Sequence, residues 1–588
     1  MKITFEPIGR TLECGEETVL EIARSSNLGI RSDCGGRGIC GKCKVILIRG
    51  KLSELTDQER KILNPEEIEK NYRLACQSKV LADSVVFIPK ESRMEARKVE
   101  ESTIDPEIEL NAAVKKIGVF LDPPTLKDVR GDLERLKEKI GNIEISLSLL
   151  RELPILLREN GWKINAILWK NRIISIEGKN GAVYGLAIDI GSSKLVCHLV
   201  DLESGKTVAK AYAENPQVAY GEDIVSRITY ARNEENLKRL QSAVLEALNK
   251  LIEDVCNLAK TSSDRIFEAI VVGNSVMHHL FFGITPKFIG VSPFTPAVTS
   301  GISYPAREVG LRMNPEGFVT SLPLIAGFIG ADATANLLIT KIYRSEEVSM
   351  LIDIGTNTEI ILGNRDRLLA CSTPSGPAFE GAHIAYGMKA VSGAIDEIEI
   401  RGDEVFYKTI DDLKPKGICG SGMIDLVAEL FKNGIINKNG KFTKENGRMI
   451  RDRVPKFVVV PAEETEFGKP ITVSERDINE FLLAKAAIKA GWTILSAKFG
   501  VKPEEIQKIY LAGSFGRHVD LENARTIGLL PPNGEIIFAG DSAVSGAKMA
   551  LKSLKEREEI ESVARKVEYV ELSVEREFQR TYLRSIML

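Results

Sequence analysis

The chain has 588 residues, 44% hydrophobic and 27% charged, with a formal net charge of −3 from 79 basic and 82 acidic side chains. That apolar content excludes wholesale disorder, and roughly 100–200 residues per domain predicts about three to five structural units. The balanced charge leaves no footprint for nucleic acid or an anionic membrane, no apolar run approaches the roughly 18 residues of a spanning helix, and MKITFEPIGRTLECGEE lacks a signal peptide's apolar stretch, so a cytoplasmic location is expected.

Residues 1–90 read as a compact small domain. KITFEP and TLECG alternate as a hairpin about Gly9-Arg10, and Glu17 to Asn27 forms a short helix ended by Gly29. A Gly- and Cys-rich loop, the strand KVILI, a charged helical stretch from Thr56 to Lys70 and the strand SVVFIP follow. Residues 91–109 are charged, carry Pro106 and read as a linker.

Residues 110–180 form a small α+β middle domain: the strand KKIGVFLD, amphipathic helices over LKDVRGDLERLKEKIG and ISLSLLRELPILLREN, and a hairpin about Lys170-Asn171. No chemistry attaches to this piece, and its expected job is spacing or docking. Residues 183–588 change texture, with short apolar strands alternating with long helical stretches. GLAIDIGSSKLVCHLVDLESG recurs in form at SMLIDIGTNTEIILGNRDRLL, 164 residues later, which predicts a duplicated α/β domain with a cleft between its lobes. The fold class is therefore multidomain, α+β followed by α/β.

Cys14, Cys34, Cys40, Cys43 and Cys76 crowd the first 80 residues, whereas Cys197, Cys256, Cys371 and Cys419 are scattered. Gaps of five, two and 32 residues separate Cys34, Cys40, Cys43 and Cys76. Three thiolates in one glycine-rich loop and a distant fourth match the ligands of a [2Fe–2S] cluster. A zinc site or a group of structural thiols is the alternative, although zinc usually takes two close cysteine pairs. The other five cysteines are expected to be buried hydrophobes. His278 and His279 show no ligand spacing, and there is no P-loop.

Asp189-Ile190-Gly191-Ser192-Ser193 and Asp353-Ile354-Gly355-Thr356-Asn357 each sit at a turn between apolar strands. Such turns present backbone N–H groups to phosphate oxygens, and an Asp at the strand end suits a hydrated Mg²⁺ or an oriented water. Gly513-Ser514, after IYLA, and Gly540-Asp541, before a helix, would let a nucleoside approach the backbone. Asp332 opens a helix and is a candidate water-activating base or a cap of that helix. Gly420-Ser421 opens another, at an anion-binding corner or as plain capping.

This set resembles the actin, hexokinase and heat-shock-chaperone superfamily of ATPases over residues 183–588. CGGRGICGKC, RLACQ, NPQVAYGEDIVSRI, VVGNSVMHHL, STPSGPAFEGA and GICGSGMIDLVAELF resemble the reductive activators of corrinoid proteins over the whole chain. The resemblance implies a β-grasp ferredoxin-type domain and a duplicated ribonuclease-H-like ATPase. It also implies a [2Fe–2S] cluster, ATP and Mg²⁺ as cofactors, a corrinoid protein and a low-potential electron donor as partners, and a homodimer. Related activators carry their clusters at the C-terminus; this chain ends REFQRTYLRSIML, without cysteine, and matches the N-terminal-ferredoxin branch. The implied activity is ATP-dependent reduction of an inactive Co(II) corrinoid to Co(I). Two other readings stay open: a small-molecule kinase with a redox-sensing cluster, and a chaperone-like ATPase with a structural cluster.

Overall fold

The computed structural model describes all residues except 27, 29, 31, 33–35, 90, 91, 93–106, 222, 444, 445, 451–453 and 514–518. The head is a five-stranded sheet in the order Arg10–Glu13, Lys2–Glu6, Ser84–Phe87, Lys44–Arg49, Tyr72–Leu74. Its first and last long strands pair in parallel, Ile3 opposite Ser84, so the two ends of the head meet at the centre of the sheet. The helix Val19–Ser25 starts at a capping box in which Thr18 and Glu21 satisfy each other's backbone N–H groups. Ile3, Phe5, Val19, Leu20, Val45, Leu74 and Val86 form the core of this unit.

Three expectations are corrected here. The stretch Thr56 to Lys70 is two helices, Asp57–Ile62 and Pro65–Glu69, because Asn64 caps a new start and Pro65 takes its first position. The first middle-domain helix spans only Asp132–Ile140, since Gly131 is its N-cap. Cys14 is half-buried at the head's edge rather than in its core.

The second unit pairs Val114–Phe120, Lys163–Trp169, Arg172–Glu177 and Glu144–Ile145 in one sheet, backed by the helices Asp132–Ile140 and Leu147–Glu159. It is docked rather than a spacer. Trp169 stacks on Phe318 of the next unit at 3.9 Å, and its indole N–H donates to the buried Glu268 at 2.7 Å. Arg557 holds the same carboxylate through two hydrogen bonds of 2.8 and 3.1 Å. Asn111 exchanges backbone hydrogen bonds with Lys552 and Leu554.

Two lobes with one topology follow. In the first, Tyr184–Ile190, Lys194–Asp201 and Thr207–Glu214 form an antiparallel meander, and Ile266–Val272 and Phe318–Ser321 extend it in parallel. In the second, Ser349–Ile354, Thr358–Gly363 and Leu368–Thr373 form the meander, and Lys508–Ala512 and Glu535–Gly540 extend it. Among the parallel strands, Ile266–Val272 lies inside the first sheet and is buried at all seven positions, apolar at all but Glu268. Each fifth strand leads toward a helix, Ala331–Thr340 or Ser542–Lys552, and these two helices cross between the lobes. A Cβ at Gly546 would lie 2.2 Å from the Ala335 carbonyl oxygen, so only glycine permits that crossing. No helix among the described residues is long and apolar enough to cross a membrane.

Candidate functional site

The equivalent first strands of the two lobes carry Asp189 and Asp353 as their last residue but one, and their turns face each other. They line a cavity of about 170 Å³ with Gly191, Ser192, Asp332, Gly355, Thr356, Asn357, Glu359, Gly513 and Asp541. A continuation of about 260 Å³ adds Ser193, Lys194, Glu380, Lys389, Cys419, Gly420 and Ser421. Nearly every residue expected for phosphate, nucleoside or water thus converges on one cleft. Gly540 joins through its carbonyl, which accepts from Gly513 N–H at 3.0 Å. Ser514 lies outside the described residues. Gly513 is left-handed, at φ 83°, and a Cβ there would come within 3.0 Å of Asp353 Oδ1.

The electrostatics are those of crowded, buried carboxylates. Burial, then the charge of Asp353, pushes Asp332 up to about 7. Burial pushes Asp353 up to about 6 and outweighs the Asn336 hydrogen bond that opposes it. Asp189 is raised far above the usual range by burial and by Asp332, Asp353 and Asp541, and Glu359 is raised similarly. Asn336 fixes the geometry: its amide donates to Asp353 Oδ2 at 2.6 Å and its carbonyl accepts from Ser542 Oγ at 2.6 Å. Asp332 accepts from the N–H of Ala333 at 2.8 Å while facing the cleft, so it serves its own helix start as well. Among the described residues no three metal-type side chains form a ready cage. Mutually repelling carboxylates without such a cage fit a hydrated Mg²⁺ that arrives with phosphate ligands.

Gly420 is the first residue of the helix Gly420–Lys432, with Cys419 as its N-cap. Cys419, expected to be a bystander, lines the cleft with its sulfur 3.2 Å from Ser421 Oγ. Cys197, Cys256 and Cys371 are buried as expected. His278 bonds Ser321 Oγ at 3.0 Å, and His279 bridges the Ser275 carbonyl and the Ala297 N–H. Both rings are buried pins of lobe structure.

In the head, the sulfurs of Cys43 and Cys76 lie 3.4 Å apart, and Cys40, three residues before Cys43, is half-buried. Cys34 lies outside the described residues. Two observations fit a cluster here. The close thiol pair is a soft donor set, and Arg24, whose side chain interacts electrostatically with Cys43 and Cys76, has a buried Nε and Nη2 with no hydrogen-bond partner among the described residues. Two residues before Cys76, the strand Tyr72–Leu74 is held by Glu59, a buried carboxylate that pairs with Arg73 through 2.9 and 3.1 Å bonds and accepts from Leu74 N–H at 3.0 Å. Burial raises the Glu59 carboxyl, but these bonds outweigh it and hold the group below the usual range.

The head faces both lobes. Arg24 lies over the Tyr220 ring, 5.5 Å from its centroid. A third cavity, of about 510 Å³, has Arg37, Ile39, Cys40 and Lys42 on the head side and Asp223, His383–Tyr386 and Arg476 on the body side.

Comparison with known proteins gives four family matches along the chain. A 2Fe-2S iron-sulfur cluster binding domain covers residues 3–81, the RACo linker region 103–182, the RACo middle region 184–345, and the C-terminal ASKHA domain of RACo 347–588. Over 608 aligned residues the chain is 31% identical to the corrinoid activation enzyme RamQ of Eubacterium limosum, covering 100% of this chain and 99% of that protein. The chain belongs to the RACo family of reductive activators. A solved reductive activator for a corrinoid, iron–sulfur protein shares this RACo architecture at 35% identity and a TM-score of 0.74, with 100% of this chain and 98% of that one covered. The Co(II) methylated amine-specific corrinoid protein reductase of Methanosarcina barkeri is 25% identical, over 68% of this chain and 76% of its own length. RACo membership supports a [2Fe–2S] cluster in the head and ATP binding in the ASKHA body.

Proposed function

We propose that this chain is an ATP-dependent reductive activator that returns a corrinoid protein from Co(II) to Co(I). The observation that carries the reading is one chain holding a close cysteine pair in a small head and a two-loop carboxylate cleft in the body, with Cys40 lining the cavity between them. Cys34, Cys40, Cys43 and Cys76 would hold a [2Fe–2S] cluster, which when bound supplies one electron at low potential. A one-electron step costs about 2.3 kcal/mol per 100 mV uphill, which is why an ATPase belongs on the same chain.

The chain's own residues then divide the work. Gly191, Ser192, Ser193, Gly355, Thr356 and Asn357 hold phosphates; Gly513, Ser514, Gly540 and Asp541 hold the nucleoside; Gly420 and Ser421 close the phosphate end of the cleft. Asp189 and Asp353 would hold the waters of a Mg²⁺, which when bound would supply positive charge that favours the ionised form of these raised carboxyls. Asp332, raised to about 7, is poised to take a proton from water near neutral pH. Buried Glu59 and Arg73 hold the strand Tyr72–Leu74, from which the chain turns to place Cys76 beside Cys43.

The test uses anaerobic, iron-reconstituted protein with a low-potential chemical donor and a Co(II) corrinoid protein. Co(I) absorbance should grow with ATP and not without it, and Cys40→Ser should abolish it while ATP binding persists. Co(II) left unreduced by the loaded protein with ATP and donor overturns the reading. ATP turnover that follows a sugar or acid acceptor instead of the corrinoid protein would return the kinase reading.

A further inference from the structure

Glu380 lies in STPSGPAFEGA but drew no role from its sequence. Its carboxylate accepts a hydrogen bond from Thr356 Oγ1 at 2.6 Å and another from Ser193 Oγ at 3.3 Å. These hydroxyls belong to the second and the first phosphate loop, hence to different lobes. One carboxylate therefore ties the lobes across the cleft at the two donors a phosphate chain would use. A hydroxyl offers one proton, and a carboxylate and a phosphate oxygen are both anionic acceptors that repel each other. Glu380 and a terminal phosphate compete for the same place.

From Glu380 the chain leads directly to the head. Gly381 is left-handed, at φ 83°, and a Cβ there would lie 2.2 Å from the Met388 nitrogen. A Cβ at Gly387 would lie 2.3 Å from the Gly381 carbonyl oxygen. Residues 381–388 thus close on themselves as a tight loop with no slack. His383 near its apex is held at φ 65°, a costly conformation for a side-chain-bearing residue. His383, Ile384, Ala385 and Tyr386 form the wall of the 510 Å³ cavity that Cys40 lines from the other side.

We infer that Glu380 is a positioning residue which the terminal phosphate of ATP displaces, and that this displacement shifts the 383–386 wall facing the Cys40 loop. The inference rests on the ATP reading above and adds how nucleotide occupancy reaches the electron-carrying head.

The test compares full-length, cluster-loaded protein with Glu380→Gln and Glu380→Ala. Calorimetry gives the affinities for ATP and adenosine, and EPR gives the spectrum of the reduced cluster. Glu380→Ala should bind ATP tighter, on the order of tenfold (about 1.4 kcal/mol), because the competing acceptor is gone, and Glu380→Gln should also bind it tighter, because its amide oxygen still accepts but no longer carries the charge that repels phosphate. Adenosine should bind unchanged, whereas a merely structural role would weaken ATP and adenosine together. The nucleotide-free variants should carry the EPR spectrum of ATP-bound wild type. ATP affinity that is unchanged or weaker in Glu380→Gln overturns the competition. A wild-type spectrum indifferent to ATP overturns the shift at the head. A wild type that binds no nucleotide brings down the ATPase reading itself, an outcome distinct from the other two.

Discussion

Replacing Asp332 by Asn should stabilise the nucleotide-free protein, and by more at high pH. Burial and Asp353 raise the carboxyl from 3.8 to about 7 in the folded chain. Because the folded value lies above the unfolded one, ionisation costs stability. The cost is absent well below pH 4, grows as pH rises through that window and is complete above about 7. At about 1.4 kcal/mol per pH unit, it amounts to about 4 kcal/mol at pH 8 and about 1.5 kcal/mol at pH 5. Asparagine keeps an acceptor for the Ala333 N–H, so the helix start survives. The assay is the difference in thermal unfolding midpoint between variant and wild type at the two pH values, without nucleotide. Titrations shared by both proteins, such as those of Glu59 and His278, cancel in that difference. The variant should gain at both values, and gain more at pH 8, while losing ATP turnover. A gap that is flat with pH, or that favours wild type at pH 8, refutes the picture of Asp332 as a strained, uncompensated charge.

Other outcomes follow from groups outside the cleft. Glu59→Ala leaves Arg73 buried without its partner, which typically costs about 3–5 kcal/mol; iron content per chain should fall, and ATP affinity should stay. Arg24→Gln removes a cation beside Cys43 and Cys76, so the midpoint potential of the cluster should drop by tens of millivolts in an EPR-monitored titration; no change would place Arg24 outside the cluster's field. Lys485→Met removes a buried ammonium that donates to the carbonyls of Ser585 and Met587 at 2.6 and 3.0 Å, so amide exchange over Phe578–Ile586 should accelerate ahead of the rest.

The cleft was legible because its signal is local. Asp-Ile-Gly between two apolar strands reports a strand, a turn and a phosphate-facing loop within ten residues, and it occurs twice. The cysteine spacing is local for three of its four members. Glu59, Asn336, Glu359 and Glu380 are not marked in the sequence because the partners that give them their roles lie well away along the chain, Ser372 13 residues from Glu359, Arg73 14 from Glu59 and Ser542 206 from Asn336, and a lone acid or amide carries no mark of what faces it. The break at Asn64-Pro65 is different: an N-cap followed by proline is a local start signal, set inside a charged stretch whose helical composition runs on through it. Docking of the middle domain through Trp169 and Glu268 had no local signal, since a tryptophan at a strand end reads the same whether it faces water or a neighbouring unit.

The lobes share a topology but not their loops. The link from third to fourth strand runs from 214 to 266 in the first lobe and from 373 to 508 in the second, where it carries two additional three-stranded sheets. Tyr220 and Asp223 belong to the first link, and residues 383–386 and Arg476 to the second. The head is therefore perched on two pseudo-symmetric arms, one rooted in each jaw. A change in the angle between the jaws would alter the spacing of its footholds, so the perch has the geometry of a caliper laid across the cleft.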